Sequence, residues 1–438
     1  MKDDISGPYL GRLGWLAHRI FASYWLLPAA GVLLALPLAI LAVTLDRHAG
    51  TDWLLSNGLS PVSTADTAKD LVGVAIGVNA AFITLYFSLT LLVLTVASSN
   101  LGVRLVDRWL DKGLVRVSLA GLSFTLVFSL GAMAAIDADA PLSSQPLGTI
   151  SAVIALQALN VVMLTVALHD LGRTVFIDRS IHHLGREAAQ GPVAIAATDP
   201  FHGDWSLGIA APREGYVEGN NLHHLSRLLG EDGGRVRICA APGQHVMEGE
   251  PIMLLEQRRD DERQLLKVLP IGDFRSDGQG AVFRIRLLVE IAARALSPAV
   301  NDFYTAIAAA DRIASAMAGQ FGSWVDEDMM PAFADDHRIE LPGQDFRGLF
   351  EDPLNAFRQA ACQYPSVTIR MVDNYHRLID RCEGEGRPAG LRRFLVQMAQ
   401  DLAEHGEASA GYDCDRADIT AAFKKIAGPE GRRRANAA

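Results

Sequence analysis

Four long apolar stretches occupy the first 170 residues, and no comparable stretch follows. They run Tyr24–Leu45, Leu71–Val96, Val115–Ile136 and Gly148–Leu168. Each is 21 to 26 residues long, enough for a helix to cross a hydrocarbon layer roughly 30 Å thick. In such a layer every backbone amide needs an internal partner, so the stretches are expected to be helices. The chain therefore reads as an α-helical polytopic membrane protein with four transmembrane helices, followed by a large polar C-terminal region.

Composition agrees with that division. Half of the 438 residues are hydrophobic and mean hydropathy is +0.17, above what a wholly water-soluble chain usually shows. Net charge is −10, with most of the acid after Asp199, which argues against nucleic acid as a partner. Cys239, Cys362, Cys382 and Cys414 are scattered without a CxxC pair, which suits a reducing compartment.

Basic residues set the expected topology. Lys2, Arg12 and Arg19 precede the first span; Arg104, Arg108 and Lys112 lie between the second and third; Arg173, Arg179 and Arg186 follow the fourth. The loop Asp137–Gln145 has no Lys or Arg, and Asp46–Asp70 has only Arg47 and Lys69. By the positive-inside rule both termini are cytoplasmic, in a bacterial inner membrane. Residues 1–23 are expected to be either an N-terminal interfacial segment, with Tyr9, Leu13, Leu16 and Ile20 on one helical face, or a solvated leader to the first span.

The remaining organisation reads as a transmembrane domain over 24–170, a connecting helix over 171–190, a small β-rich domain over 191–280, a helical domain over 281–427 and a flexible tail over 428–438. In the β-rich part, Gly215-Tyr-Val and Pro242-Gly-Gln-His-Val-Met-Glu-Gly-Glu-Pro-Ile252 suggest turns of a small barrel-like unit. The second resembles the turn of biotinyl- and lipoyl-type barrels, but no Lys stands at a hairpin tip, so no cofactor is expected.

The second span carries a small and polar stripe. Gly73 and Gly77 are a small-xxx-small pair, and Asn79, Thr84 and Ser88 continue beside it. Span four adds Gln157 and Asn160, one turn apart. These seven residues are candidates either for a pore lining or for helix-to-helix contact. No charged residue stands at the centre of a span, which weakens ion-coupled pumping.

Beyond the membrane domain, Ser297-Pro298 is expected to stop one helix, and Asn301-Asp302 to cap the next. With Arg294 and Thr305 these residues are candidates for a ligand or an interface contact. No His lies among them, and no P-loop, HExxH or nucleophile elbow occurs anywhere in the chain, so neither catalytic residues nor a metal site is expected. His182-His183, His223-His224 and Asp335-Asp336-His337 read as solvated helix ends or loops.

Arg294-Ala-Leu-Ser-Pro-Ala-Val-Asn-Asp-Phe-Tyr-Thr-Ala306 resembles the RALSP-x-x-ND-x-x-TA signature of a family of bacterial predicted membrane proteins, domain of unknown function 2254. Phe87-Ser-Leu-Thr-Leu91 and Ala97-Ser-Ser-Asn-Leu-Gly-Val-Arg-Leu105 are similar to the family's upstream motif, as are Gly215-Tyr-Val and the Pro242-Gly turn. The likeness extends to about residue 380. Val103 and Phe303 stand where the family often has proline. The resemblance implies the membrane architecture and brings no activity with it. The functional expectation is a homo-oligomeric channel or passive transporter with a cytosolic gating domain; the alternative is a membrane-anchored sensor or scaffold that binds a small ligand, an ion or a protein.

Overall fold

A computed structural model describes residues 25–101, 113–174, 177–190, 195–273 and 280–426. The interfacial segment, the Arg104–Lys112 loop and the tail lie outside them. The chain divides into two compact units, with Ile177–Ala438 in one and Leu10–Phe176 in the other.

The membrane unit contains helices α1 (Leu26–Leu45), α2 (Thr51–Ser56), α3 (Ala65–Leu101), α4 (Gly113–Met133) and α5 (Leu147–Thr174). A π-turn, Asp46–Gly50, joins α1 to α2. Four helical stretches are long and apolar enough to span a membrane: Leu26–His48, Ala65–Val96, Gly113–Met133 and Leu147–Gly172. They match the four apolar stretches of the sequence. Span two begins six residues early because polar Ala65–Asp70 keeps its helical hydrogen bonds; hydropathy marks the membrane, not the helix end.

Span three is the hub. Its Gly131 brings it against span one, where a Cβ would stand 2.7 Å from that of Ala39. At Gly31 of span one, a Cβ would stand 3.0 Å from the Ala120 carbonyl oxygen. Both pairs advance in the same direction along the chain, so spans one and three run parallel. Tyr86, Leu119, Leu122 and Leu164 fill the space between spans two, three and four. Leu33, Leu34, Ile40, Leu91 and Val162 are exposed on the outer surface, the composition a lipid-facing shell needs.

The C-terminal unit begins with α6 (Ile177–Ala189) and continues through β1 (Ile195–Thr198), β2 (Leu207–Ala210), β3 (Gly215–Val217), α7 (Leu222–Leu229), β4 (Val236–Ile238), β5 (His245–Val246), β6 (Pro251–Leu255), α8 (Glu262–Leu265) and β7 (Ile271–Gly272). It ends with α9 (Ala281–Ala295), α10 (Phe303–Gly319), β8 (Met330–Phe333), β9 (Asp336–Glu340), α11 (Phe346–Ala361), α12 (Pro365–Gly384), α13 (Ala389–Ser409) and α14 (Asp413–Ile426).

No closed barrel occurs among the described residues. The strands form two open sheets, ordered β1-β8-β9-β4-β6-β2 and β5-β3-β7. The barrel-like expectation relied on local turns and missed the hairpin β8–β9, which arrives from beyond residue 280. β9 pairs parallel with β4, Val236 opposite Ile339, and extends the sheet sideways instead of closing it. Asp336, expected in a solvated loop, is buried in that hairpin and accepts from Ser226 Oγ at 2.7 Å. Val236, Ile238, Ile252, Leu255, Leu225 and Ile339 form the core beneath the sheet.

The helices of this unit follow apolar periodicity. Ile285, Leu288 and Ala292 of α9 are buried, as are Ala306, Ala310 and Ile313 of α10. Asp345 caps α11 through the Gly348 N–H, and Pro365 opens α12, where its missing N–H is harmless.

Candidate functional site

Asn79 and Asn160 meet inside the membrane unit, between spans two, three and four. Asn79 of span two is fully buried and donates from Nδ2 to the Leu122 carbonyl of span three at 2.7 Å. Asn160 of span four donates from Nδ2 to Asn79 Oδ1 at 3.0 Å. One amide thus links three spans, using the spare lone pair of a helical carbonyl. Gly121 permits the approach: a Cβ there would stand 2.9 Å from Met163 Cε and 3.7 Å from Asn160 Oδ1. Gly121 was not singled out from the sequence, because nothing local distinguishes it from other span glycines.

The other candidates behave differently. Gln157 lies one turn from Asn160, and its buried amide has no hydrogen-bond partner among the described residues. Thr84 donates back to the Ala80 carbonyl at 3.0 Å and faces outward, as do Gly77 and Ser88. Gly73 meets only Met133 Cε, at 3.8 Å from a built Cβ, and Gly77 meets nothing within 4 Å. Close helix approach inside the chain therefore uses Gly31, Gly121 and Gly131, not the Gly73/Gly77 pair.

A second polar centre closes one end of the helix bundle. Asp46, at the end of span one, is 5% exposed. Its Oδ2 accepts from the Thr149 N–H at 2.7 Å, and its Oδ1 from Thr51 Oγ1 at 3.2 Å. The Thr51 hydroxyl has one proton to share between Asp46 and the Gln145 carbonyl, to which it donates at the shorter 2.7 Å, and it accepts from the Leu147 N–H at 3.2 Å. The carboxylate sits at the N-terminus of span four, where unpaired N–H groups favour negative charge. Gly148 makes room: a Cβ there would come 2.9 Å from Asp46 Oδ1. Beside this centre is a polar recess of about 420 Å³, lined by Arg47, Thr51, Asp137, Ser143, Ser144 and Gln145. The sequence signal for Asp46 is an acid directly after an apolar run, followed by Gly50-Thr51.

In the C-terminal unit, the signature residues build a turn between α9 and α10. Ser297 accepts at its carbonyl from the N–H groups of Val300 and Asn301, at 3.0 and 2.9 Å. Asn301 takes a positive φ of 51°, a left-handed conformation that Asn tolerates better than most side chains. Asp302 caps α10, accepting from the Thr305 N–H at 3.1 Å and from Thr305 Oγ1 at 2.6 Å. Tyr364 donates to the Leu296 carbonyl at 2.6 Å and ties α12 to the turn. Arg294 lies one turn before the break and Pro298 is exposed at the bend. Ser297, Asn301, Asp302 and Thr305 thus shape the backbone.

Two carboxylates brace the same unit, Glu340 buried and Asp311 half-buried. Glu340 is fully buried, paired with Arg237 at 2.7 Å and Arg235 at 3.6 Å, and accepts from the Phe201 N–H at 3.0 Å. Arg237 stacks over Trp205 and Arg235 over Phe201, which shields both cations. Asp311 of α10 accepts from Arg370 and Asn374 of α12, each at 2.8 Å. Burial pushes its carboxyl up, but these hydrogen bonds win and hold it below the usual carboxylate range.

Membrane-length helices cross-linked by a buried amide pair, followed in the chain by a folded α+β unit, define a polytopic α-helical membrane protein. Its family is shown by comparison: the chain belongs to the family described as predicted membrane protein, DUF2254, whose pattern matches residues 22–376. An uncharacterized protein of Mycobacterium bovis, Mb1321c, is 25% identical over 421 residues, covering 89% of this chain and 79% of that protein. An uncharacterized protein of Mycobacterium tuberculosis, Rv1290c, is similar to the same extent, 25% over 421 residues with 89% and 79% covered. No solved structure matches.

Proposed function

We propose that this protein is a membrane-anchored sensor or scaffold. Its four spans hold it in the bacterial inner membrane with both termini cytoplasmic, and its C-terminal unit binds a ligand or a protein without catalysing a reaction. One observation carries this reading: Asn79 and Asn160, candidates for a pore lining, are spent on each other and on the Leu122 carbonyl. Polar groups engaged in that way hold helices together and offer little to a passing solute. The distribution of Lys and Arg supports the orientation.

A specific observation favours a second reading, a channel formed between copies. Gly77, Ala80, Thr84 and Ser88 share an exposed face of span two. Small and hydroxylated residues facing out of one chain suit close contact with another, and such an assembly would enclose a path on its axis.

Flux of ions and small solutes through liposomes holding the full-length protein separates the two. The anchor reading expects no flux from well-folded protein, together with thermal stabilisation in nanodiscs by some member of a metabolite and nucleotide panel. Flux abolished by Ser88→Leu, with subunit number and stability unchanged, would replace it with the channel reading.

A further inference from the structure

The connection between spans three and four is shaped from within. Gln145 is 1% exposed, and the loop folds around its side chain. Its Nε2 donates to the Asp137 carbonyl at 2.7 Å and to the Ala140 carbonyl at 3.4 Å, and its Oε1 accepts from the Asp137 N–H at 3.2 Å. The facing wall is held as firmly: Thr51 donates to the Gln145 carbonyl, and Asp46 caps span four at the Thr149 N–H. The polar recess of about 420 Å³ between these walls is therefore formed before any ligand enters, which lowers the ordering cost of binding.

The charges in this recess are not consumed by the fold. Arg47 and Asp137 both line it, and both are exposed. Neither forms an ion pair among the described residues. Asp137 Oδ1 accepts from the Asp139 N–H at 3.1 Å, which leaves its second oxygen open. Asp46 faces inward onto Thr149 and Thr51, so Asp137 is the carboxylate that a cation in the recess can reach. Ser143 and Ser144 line the same space; Ser144 Oγ donates to the Pro141 carbonyl at 2.7 Å and keeps its lone pairs. Lys69 is the only other Lys or Arg in the stretches Asp46–Asp70 and Asp137–Gln145. Two opposite charges that share a cavity without touching leave room for a molecule that bears both.

We propose that this recess is a zwitterion site, with a phosphate or carboxylate on Arg47 and a primary ammonium on Asp137. The guanidinium is a planar fork that matches either anion with paired N–H donors. The hydroxyl of Ser143 reaches the same anion, and the open oxygen of Asp137 accepts from the ammonium. Phosphoethanolamine carries both groups, as a free solute or as a lipid headgroup. Both forms reach the recess, because it lies at the ends of spans one, three and four. The site belongs to the membrane unit alone. It is separate from the ligand or protein proposed for the C-terminal unit, and it stands whether the chain is an anchor or a channel.

The test is calorimetric titration of full-length protein in nanodiscs of phosphatidylglycerol, a lipid without an ammonium group. Free phosphoethanolamine should bind saturably, one per chain. Arg47→Gln and Asp137→Asn should each weaken it by about tenfold or more, the loss expected for one hydrogen bond to a charged group. Both side chains are exposed, so both variants should keep the native Tm. Phosphate alone and ethanolamine alone should bind at least about tenfold more weakly than the joined molecule, by the same arithmetic. Repeating the titration in nanodiscs that contain phosphatidylethanolamine separates the two sources. A suppressed signal there assigns the site to the headgroup, and an unchanged one to a water-borne zwitterion; either supports the proposal. No saturable binding to folded protein in either nanodisc would overturn it. So would binding that survives both substitutions, or phosphate alone binding as well as phosphoethanolamine and ignoring Asp137→Asn, which would leave a simple anion site.

Discussion

Asn160 Nδ2 donates to Asn79 Oδ1 at 3.0 Å while Asn79 Nδ2 donates to the Leu122 carbonyl at 2.7 Å, so a single side chain couples spans two, three and four. Asn79→Leu should lower stability in detergent by about 1–2 kcal/mol, the range for interhelical hydrogen bonds in apolar surroundings. A double-mutant cycle with Asn160→Leu, read by denaturant titration, should give a coupling of about 0.6–1.7 kcal/mol. Strict additivity would show that the two amides act separately.

Asp46 and Gly148 form a second dependent pair. Asp46→Ala removes the acceptor of the Thr149 N–H and should cost about 1 kcal/mol, as loss of a helix cap does. Gly148→Ala should also destabilise, because its new methyl would press on the Asp46 carboxylate. In the Asp46→Ala background the Gly148→Ala cost should shrink markedly. Scanning fluorimetry of the four proteins in nanodiscs measures this, and equal costs in both backgrounds would refute the coupling.

Glu340 should be the most sensitive carboxylate in the C-terminal unit. Glu340→Ala strands Arg237 and Arg235 beside Trp205 and Phe201 and leaves the Phe201 N–H unpaired. Breaking a buried pair costs about 3–5 kcal/mol; the low end is expected, since both arginines keep some solvent access. Hydrogen exchange over residues 199–206 should rise many-fold. Unchanged protection there would mean that the segment is held by other contacts.

Asp311 makes the α10–α12 contact pH-dependent. Its carboxyl is held below the ordinary range in the folded protein, so its stabilisation is present above the unfolded value of about 3.9 and is lost as pH falls through the folded value. Asp311→Asn should therefore lower the Tm at pH 7 and change it much less near pH 3. A Tm difference from the native protein that is constant between these pH values would contradict the assignment.

Legibility followed the range of the interactions. The spans, α9, α10 and the Asp302 cap were readable because hydropathy, apolar period and capping chemistry act within a few residues. Helix α11 begins at Phe346, where Asp345 caps it from a loop. The hairpin β8–β9 escaped notice: Asp335-Asp336-His337 is too polar to read as strand until Ser226 and Arg338 satisfy Asp336. Asp46 had the local marks of a solvated span end, and only Thr149, 103 residues away, makes it a buried cap.

By itself the sequence determined that four helices are long and apolar enough to cross a bilayer, that a mixed α and β unit follows, and that a capped helix break lies at Ser297–Thr305. Each follows from local free energy: burial of apolar side chains, and satisfaction of backbone groups by the nearest donor or acceptor. Only the tertiary structure decided that Asn79 faces Asn160 while Ser88 faces outward, and that the sheet stays open. Those outcomes depend on which partner a side chain finds across a helix or sheet interface, and that pairing is set by packing between segments far apart in the chain.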